Sequence, residues 1–207
     1  MKAVPTEQIS TRESILLAAQ RCFADHGYAA TSLNDIAAEV GIRRPSLLHH
    51  FVSKEALYGE VFERSLSDWL VRLEDAVSDV GDDGWALLDA VLNVSANFFA
   101  DNPDVVRVLR REAIDGGVNL GIDMGGVLRP LFNRASHFLQ REMTAGTFRT
   151  MHPEYLLLSA YGALLSYFSD APLIAGLVDG DPLSPERVKA HIDSLRDLYQ
   201  AALRPGS

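Results

Sequence analysis

The sequence predicts an all-α protein in which a small N-terminal domain of three helices precedes a larger helical bundle. Apolar residues recur at helical spacing along most of the 207 residues. Capping residues, prolines and glycines stand between these segments, where helices start and stop. No convincing alternating strand pattern and no internal repeat occurs. We expect residues 1–52 to form the N-terminal domain and residues 53–207 the C-terminal domain, a length that suits a sizeable core.

The first helix is predicted over about Ser10–His26 and ends at Gly27. Its apolar stripe consists of Ile15, Ala19, Cys22 and Phe23. Because Cys22 falls on this stripe, we interpret it as a small core residue. It is the only cysteine of the chain, which excludes an intrachain disulfide.

Two short helices joined at a glycine are predicted next. Ser32 can cap the first of them, with Asp35 three residues on as a stand-in for the acid of a capping box. Gly41 supplies the left-handed residue that ends a helix without a Cβ penalty. Pro45 suits the first turn of the second helix, and Ser53 can cap a further helix. The apolar side chains that face inward or toward neighbours are Ile36, Ala37 and Val40, then Leu47, Leu48 and Phe51.

This pattern is typical of a DNA-binding helix-turn-helix, and its second helix is basic. Residues 41–54 contain three Lys or Arg, two His and no carboxylate. Phosphates and guanine edges are the natural partners of such a surface, and a helix of this width fits the major groove. The candidate DNA-binding residues are Thr31, Ser32, Arg43, Arg44, Pro45, Ser46, His49, His50 and Lys54.

Residues 41–57 resemble the TetR family of bacterial transcriptional regulators, in which a run Gly-Val-Ser-x-x-x-Leu-Tyr-His-His-Phe-x-Ser-Lys-x-x-Leu is typical. The matching positions are Gly41, Leu47, His49, His50, Phe51, Ser53, Lys54 and Leu57. Upstream, the core and turn positions that agree are Ile15, Ala18, Ala19, Phe23, Gly27, Tyr28, Thr31, Ile36 and Ala37. Two positions depart from the family pattern. Leu48 replaces a tyrosine that contacts phosphate, and Pro45 replaces a small residue near the start of the recognition helix.

The resemblance implies a homodimeric transcriptional regulator that represses from a palindromic double-stranded DNA operator. A small-molecule effector that binds the C-terminal domain would release the protein from this operator. An alternative is a helical ligand-binding or protein-interaction module without specific DNA recognition. The replacement at Leu48 and the net charge of −9 are compatible with that alternative.

The remaining helices follow from caps, prolines and glycines. The fourth helix is predicted over Ser53–Ser78, with a break at Gly81–Gly84, and the fifth over about Trp85–Ala100. Asn102 and Pro103 would cap and start a sixth helix that ends near Asp115, before a loop at Gly116–Gly126. The last three helices would start at about Val127 or Leu128 with Pro130 in the first turn, at Pro153, and at Ser184-Pro185 after a loop at Ala171–Leu183.

The last two helices predict a dimer interface. The segment Tyr155–Phe168 has no charged residue, yet its fourteen residues are too few to cross a bilayer. Small residues recur along it at spacings of three and four and would let another helix approach closely. The candidate interface residues are Ser159, Gly162, Ala163, Ser166, Ile192, Leu195 and Tyr199. The alternative is that both stripes pack within one subunit.

The family resemblance also implies a ligand pocket in the C-terminal domain. Aromatic side chains supply the candidate lining, although the same residues could be ordinary core. These candidates are Trp69, Phe98, Phe99, Phe132 and Tyr161. The sequence does not identify the effector.

Other functions find no support in the sequence. No serine-hydrolase, zinc-protease or phosphate-loop motif occurs, so we expect no enzyme and no cofactor. We also expect no metal site, because His49 and His50 cannot both face one ion from an unbroken helix. The other His residues are scattered. No apolar N-terminal run resembles a secretion signal, which predicts a cytoplasmic protein without a membrane segment.

Overall fold

The computed structural model describes residues 9–121 and 123–205 and confirms the all-α fold. Within these residues there are ten α-helices, a 3-10 turn at Val118–Leu120 and no strand. The helices are α1 (Thr11–Ala30), α2 (Leu33–Val40), α3 (Arg44–His50), α4 (Lys54–Ser78), α5 (Gly84–Asp101), α6 (Pro103–Asp115), α7 (Met124–Thr144), α8 (Pro153–Ser169), α9 (Ala171–Ile174) and α10 (Pro185–Leu203).

Three local expectations were wrong. Helix α7 begins at Met124, so Pro130 lies inside the helix instead of in its first turn. The predicted loop after α8 contains the short helix α9. The Asn102 side chain does not cap α6, because its Nδ2 donates to the Phe98 carbonyl at 2.8 Å and so closes the end of α5.

Helix α1 changes direction at Gly27, where the sequence predicts that it stops. Gly27 has φ +79°, a left-handed conformation that strains other residues. The kink leaves carbonyl groups of α1 without helical partners, and Nη2 of Arg111 on α6 donates to the Ala24 and Asp25 carbonyls at 3.2 Å each. A Cβ at position 27 would lie 2.6 Å from Nη1 of the same guanidinium. The positive φ therefore requires glycine at position 27, and a Cβ there would also force the Arg111 side chain to shift.

The N-terminal helices do not form a closed core of their own. Their apolar cluster includes Tyr58, Val61 and Phe62 of α4 and Val108 of α6. It also includes Met124 at the start of α7, with Leu120 packed against it. The hydrophobic core that supports α2 and α3 therefore continues into the C-terminal half of the chain.

A buried hydrogen bond joins α4 to α6 inside this shared core. Glu112 is 0% exposed, and one of its oxygens accepts from the Tyr58 hydroxyl at 2.6 Å and from Asn119 Nδ2 at 3.0 Å. Its other oxygen has no hydrogen-bond partner among the described residues. Burial, and then the hydrogen bond to Glu112, raise the pKa of Tyr58, so this hydroxyl stays protonated and remains a donor.

The second core lies among α5, α6, α8 and α10, with contributions from α7. Its aromatic centre contains Phe98, Phe99 and Phe168, with edge-to-face contacts at about 6 Å between ring centroids. Ile192, Leu195 and Tyr199 of α10 are also buried in it. The C-terminal bundle is thus a packed unit whose own residues fill the inner face of α10.

We expect Tyr58→Phe to lower the free energy of unfolding by about 1–3 kcal/mol, because the substitution leaves a buried carboxylate with only the Asn119 donor. Tyr28→Phe is the matched control. It removes an exposed hydrogen bond from Tyr28 to Glu55 at 2.8 Å and should cost less than about 1 kcal/mol. Urea unfolding of the three proteins measures both values. Equal losses in the two variants would contradict the importance of the buried bond.

Candidate DNA-binding surface and regulatory domain

The turn between α2 and α3 is built as the sequence predicts. The Ser32 hydroxyl accepts from the Asp35 backbone N–H at 3.2 Å, and the Asp35 carboxylate accepts from the Ser32 backbone N–H at 3.0 Å. This is a reciprocal capping box. Gly41 ends α2 with φ +76°, and the Ile42 N–H donates to the Ala37 carbonyl at 2.9 Å. The capping box fixes the start of α2, and the bonds around Gly41 fix the angle at which the chain leaves α2 toward α3.

Helix α3 presents almost all of its side chains to solvent. Leu47 is its only buried residue and anchors the helix to the first core. The predicted DNA-binding residues that are exposed on or next to this helix are Arg43, Arg44, Pro45, Ser46, His49 and His50. A short helix with one anchor and a basic start is free to enter a groove.

Two of the predicted DNA-binding residues, Thr31 and Lys54, make hydrogen bonds within the protein. The Thr31 hydroxyl is buried, 2.8 Å from the Gly27 carbonyl and 3.0 Å from the Cys22 carbonyl. The Lys54 ammonium donates to the carbonyls of Tyr28 and Thr31 at 2.7 and 2.9 Å and lies 4.2 Å from the centre of the Tyr28 ring. Lys54 therefore ties the start of α4 to the junction of α1 and α2, and these bonds use two of its three N–H groups.

An open cleft of about 510 Å³ lies beside α3. Its walls are the end of α1, the start of α2, one side of α3 and the start of α4. Arg44 and Lys54 line it, together with the capping residues Ser32 and Ser53. The positive ends of two helix dipoles thus face the same cleft as two cationic side chains, which favours an anion.

The carboxylates nearest to this cleft are already engaged. Asp35 holds the capping box, and the Ser32 hydroxyl, followed by the Ser32 backbone N–H, lowers the pKa of that carboxyl. Glu55 lines the cleft and accepts a hydrogen bond from the Tyr28 hydroxyl. Neither acid is paired with Arg44 among the described residues, so the guanidinium of Arg44 stays available to an external partner.

The five candidate ligand-binding residues lie in different environments. Trp69, Phe98 and Phe99 lie together, with the Trp69 and Phe99 rings stacked at 6.0 Å. Phe132 is half-buried on α7, and Tyr161 is exposed on α8. A second cleft of about 430 Å³ lies between α5 and α10, and none of the five residues lines it.

The candidate dimer residues divide between the inside and the outside of the bundle. Ile192, Leu195 and Tyr199 are buried in the second core, where they contact their own protomer. Ser159 is exposed, whereas Gly162, Ala163 and Ser166 are half-buried. The exposed apolar side chains of these two helices are Tyr155, Leu158, Tyr161 and Leu198. Sequence periodicity identified the helices, but an apolar stripe does not reveal which neighbour covers it.

Residues 9–121 and 123–205 contain neither a cluster of metal ligands nor a membrane-spanning helix. In that part of the chain, no group of three or more His, Cys, Asp or Glu side chains could hold a metal ion. None of its helices is long and apolar enough to cross a lipid bilayer.

Two family profiles match the chain in the same order as its two halves. Residues 15–61 match the family described as bacterial regulatory proteins, tetR family. Residues 86–198 match the tetracyclin repressor-like C-terminal domain. The chain belongs to the TetR family. It is a DNA-binding, helix-turn-helix transcriptional regulator and no enzyme.

Curated TetR-family relatives agree with this membership. The HTH-type transcriptional regulator RutR of Escherichia coli strain K12 is 26% identical over 194 residues, which cover 94% of this chain and 91% of RutR. The HTH-type transcriptional repressor KstR2 of Mycolicibacterium smegmatis is 46% identical over 66 residues, 32% of each chain.

Solved TetR-family structures show the same fold. The ketosteroid transcriptional regulator KstR2 of Mycobacterium tuberculosis aligns with a TM-score of 0.80 at 19% identity, covering 99% of this chain and 100% of that one. AibR, solved in complex with isovaleryl coenzyme A and operator DNA, aligns with a TM-score of 0.75 at 18% identity, covering 91% of this chain and 97% of that one.

We expect Lys54→Met to affect both protein stability and DNA affinity, and Arg44→Ala to affect DNA affinity alone. Lys54→Met removes the donor to two carbonyls, so it should lower both the melting temperature and the DNA affinity. Arg44→Ala removes an exposed side chain and should change the free energy of unfolding by no more than about 0.5 kcal/mol while it weakens DNA binding. Thermal unfolding and fluorescence anisotropy with labelled DNA measure the two effects. Identical profiles for both variants would contradict the assignment.

Proposed function

We propose that this TetR-family chain is a homodimeric repressor that reads a palindromic operator with α3 and releases it when a small molecule binds the C-terminal domain. The observation that carries the proposal is the exposed, basic start of α3 beside a cleft that favours phosphate. In this arrangement Arg43 and Arg44 face the base edges and nearby phosphates, while Lys54 and the start of α4 hold the backbone.

Selection of bound sequences from random DNA tests the DNA-binding part of this proposal. We expect an enriched palindrome whose half-sites lie about 34 Å apart or a multiple of that distance, because a two-fold dimer presents two copies of α3 to successive turns of the major groove. Absence of any enriched sequence would favour the alternative of a helical ligand-binding or protein-interaction module.

We propose that the dimer forms through the outer side of α8 and the exposed part of α10. Tyr155, Leu158 and Tyr161 of α8 point away from the second core, as does Leu198 of α10. A Cβ added at Gly162 would meet no atom within 4 Å, so this position also faces open space and lets a partner helix approach closely. A contiguous patch of exposed apolar side chains indicates an interaction surface. In a two-fold dimer, each protomer would bury this patch against the same patch of its partner.

We expect Leu158→Glu to dissociate the dimer, because two facing protomers would each bury an unpaired carboxylate. Val71→Glu is the matched control, since Val71 is an exposed apolar residue of α4. Light scattering at micromolar concentration should give a dimer for the wild type and for Val71→Glu, and a monomer for Leu158→Glu. A monomeric wild type would contradict the interface.

We propose that the effector binds beside Trp69, between α4 and α7. The Trp69 indole is only partly buried and donates to Ser95 Oγ at 3.3 Å, and Phe132 of α7 is half-buried outside both core clusters. Among the described residues, α4 and α7 are joined by one ion pair, from Glu74 to Arg134, and its distance of 3.8 Å is long. A mostly apolar molecule that separates α7 from α4 would shift Met124 in the shared core. Such a molecule releases DNA only if it binds the free and operator-bound states with different affinity.

We expect an apolar or aromatic effector to raise the melting temperature and to lower operator affinity together. Phe132→Ala should blunt both responses and leave operator affinity without effector unchanged, because Phe132 lies outside the core that supports α3. Val127→Ala, an exposed position of the same helix, is the control and should respond as the wild type. A panel of apolar and aromatic compounds, read by thermal shift and by anisotropy, measures this. Compounds that raise the melting temperature of Phe132→Ala as strongly as that of the wild type would rule out this pocket.

A further inference from the structure

Two apolar side chains are exposed on the DNA-facing side of the N-terminal domain. Leu48 of α3 is 37% exposed, and Val52, which follows the helix, is 85% exposed. Both line the cleft that also contains Arg44 and Lys54. A molecule that enters this cleft would therefore meet two apolar side chains beside two cationic ones.

Packing within the protein does not explain them. The first core is filled on this side by Leu47 and Phe51, the residues that directly precede Leu48 and Val52. Leu48 and Val52 do not belong to that core, and solvent reaches both of them. Their contribution to folding is therefore small, and their apolar surface remains available for a partner.

The surroundings of the pair identify the chemistry of this partner. Arg44, Lys54 and the first turns of α2 and α4 bring positive charge to the same cleft, which selects a polyanion. Among the groups that double-stranded DNA displays in its major groove, the C5-methyl of thymine is the apolar one. A leucine and a valine beside a phosphate-binding cleft therefore match a thymine whose phosphate backbone is held by Lys54 and α4.

We propose that Leu48 and Val52 contact the C5-methyl of a thymine in each operator half-site and so specify thymine at that position. The inference rests on the proposed function, since α3 must enter the major groove. It adds a specificity element to the polar contacts, because Lys54 and the helix ends would hold the phosphates of every sequence whereas a methyl contact distinguishes thymine from the other bases.

The test uses the full-length protein and its selected operator, in which deoxyuridine replaces each thymine in turn. Deoxyuridine keeps the base pair and removes only the methyl group. For the wild type we expect a loss of affinity of about fourfold at one thymine per half-site, the effect of one buried methyl group. Leu48→Ala should lose affinity on the thymine operator, and it should bind the deoxyuridine operator as well as the thymine one. Val52→Ala should show the same pattern, with an unchanged salt dependence because no charge is lost.

Val71→Ala on α4 is the control and should retain the wild-type preference for thymine. Unchanged affinity in both Leu48→Ala and Val52→Ala would overturn the inference. Variants that lose affinity equally on thymine and deoxyuridine would also overturn it, because the contact would then be to the sugar and carry no sequence information. The deoxyuridine series with wild-type protein needs no variant to fold, and an operator without any methyl-sensitive thymine is decisive against the proposal. Failure to select an operator at all would instead count against the proposed function.

Discussion

The contact of α6 with α1 and α4 is the constraint on which the DNA-binding surface depends. Helices α2 and α3 have eight and seven residues, far fewer than the roughly 12–15 that an isolated helix needs in water. Tertiary packing must hold them, and the apolar cluster that supplies it extends to Val108, Leu120 and Met124 beyond the N-terminal domain. The Tyr58 hydrogen bond to Glu112 and the Arg111 guanidinium at the α1 kink fix where this packing occurs.

This shared core gives a physical route between the two halves of the chain. The start of α7 contributes Met124 to the core that holds α3, while the rest of α7 packs on the C-terminal bundle through residues such as Leu139 and Met143. A molecule that displaces α7 would therefore disturb the core to which α3 is anchored, without touching α3 itself. A population shift between two arrangements of these helices is sufficient, and no continuous chain of side chains is required.

The sequence predicted best what local chemistry decides. The Ser32 capping box, the left-handed Gly41, the Ser53 cap of α4 and the exposed basic start of α3 all follow from residues close to one another. It predicted poorly what depends on distant partners. Tyr199, for example, is buried within its own protomer. One local expectation also failed, because the Asn102 amide donates to the Phe98 carbonyl four residues earlier and so closes α5 instead of opening α6. Thr31 and Lys54 were predicted to contact DNA. The sequence motif does not show that their side chains also donate hydrogen bonds to backbone carbonyls of the protein. The contact of Arg111 with the kink of α1 was not predicted, because its α1 partners lie about 86 residues away.

The unsatisfied oxygen of Glu112 has a consequence for how such a regulator can be tuned. Within the described residues, one oxygen of this carboxylate has no protein donor, so the geometry leaves room for a further hydrogen bond at the joint between the two halves. A single neighbouring substitution that supplies a donor would stiffen the joint, and one that removes Asn119 would loosen it. Sensitivity to a signal can thus be adjusted at a position that contacts neither DNA nor effector, leaving the operator sequence that the protein reads unaltered.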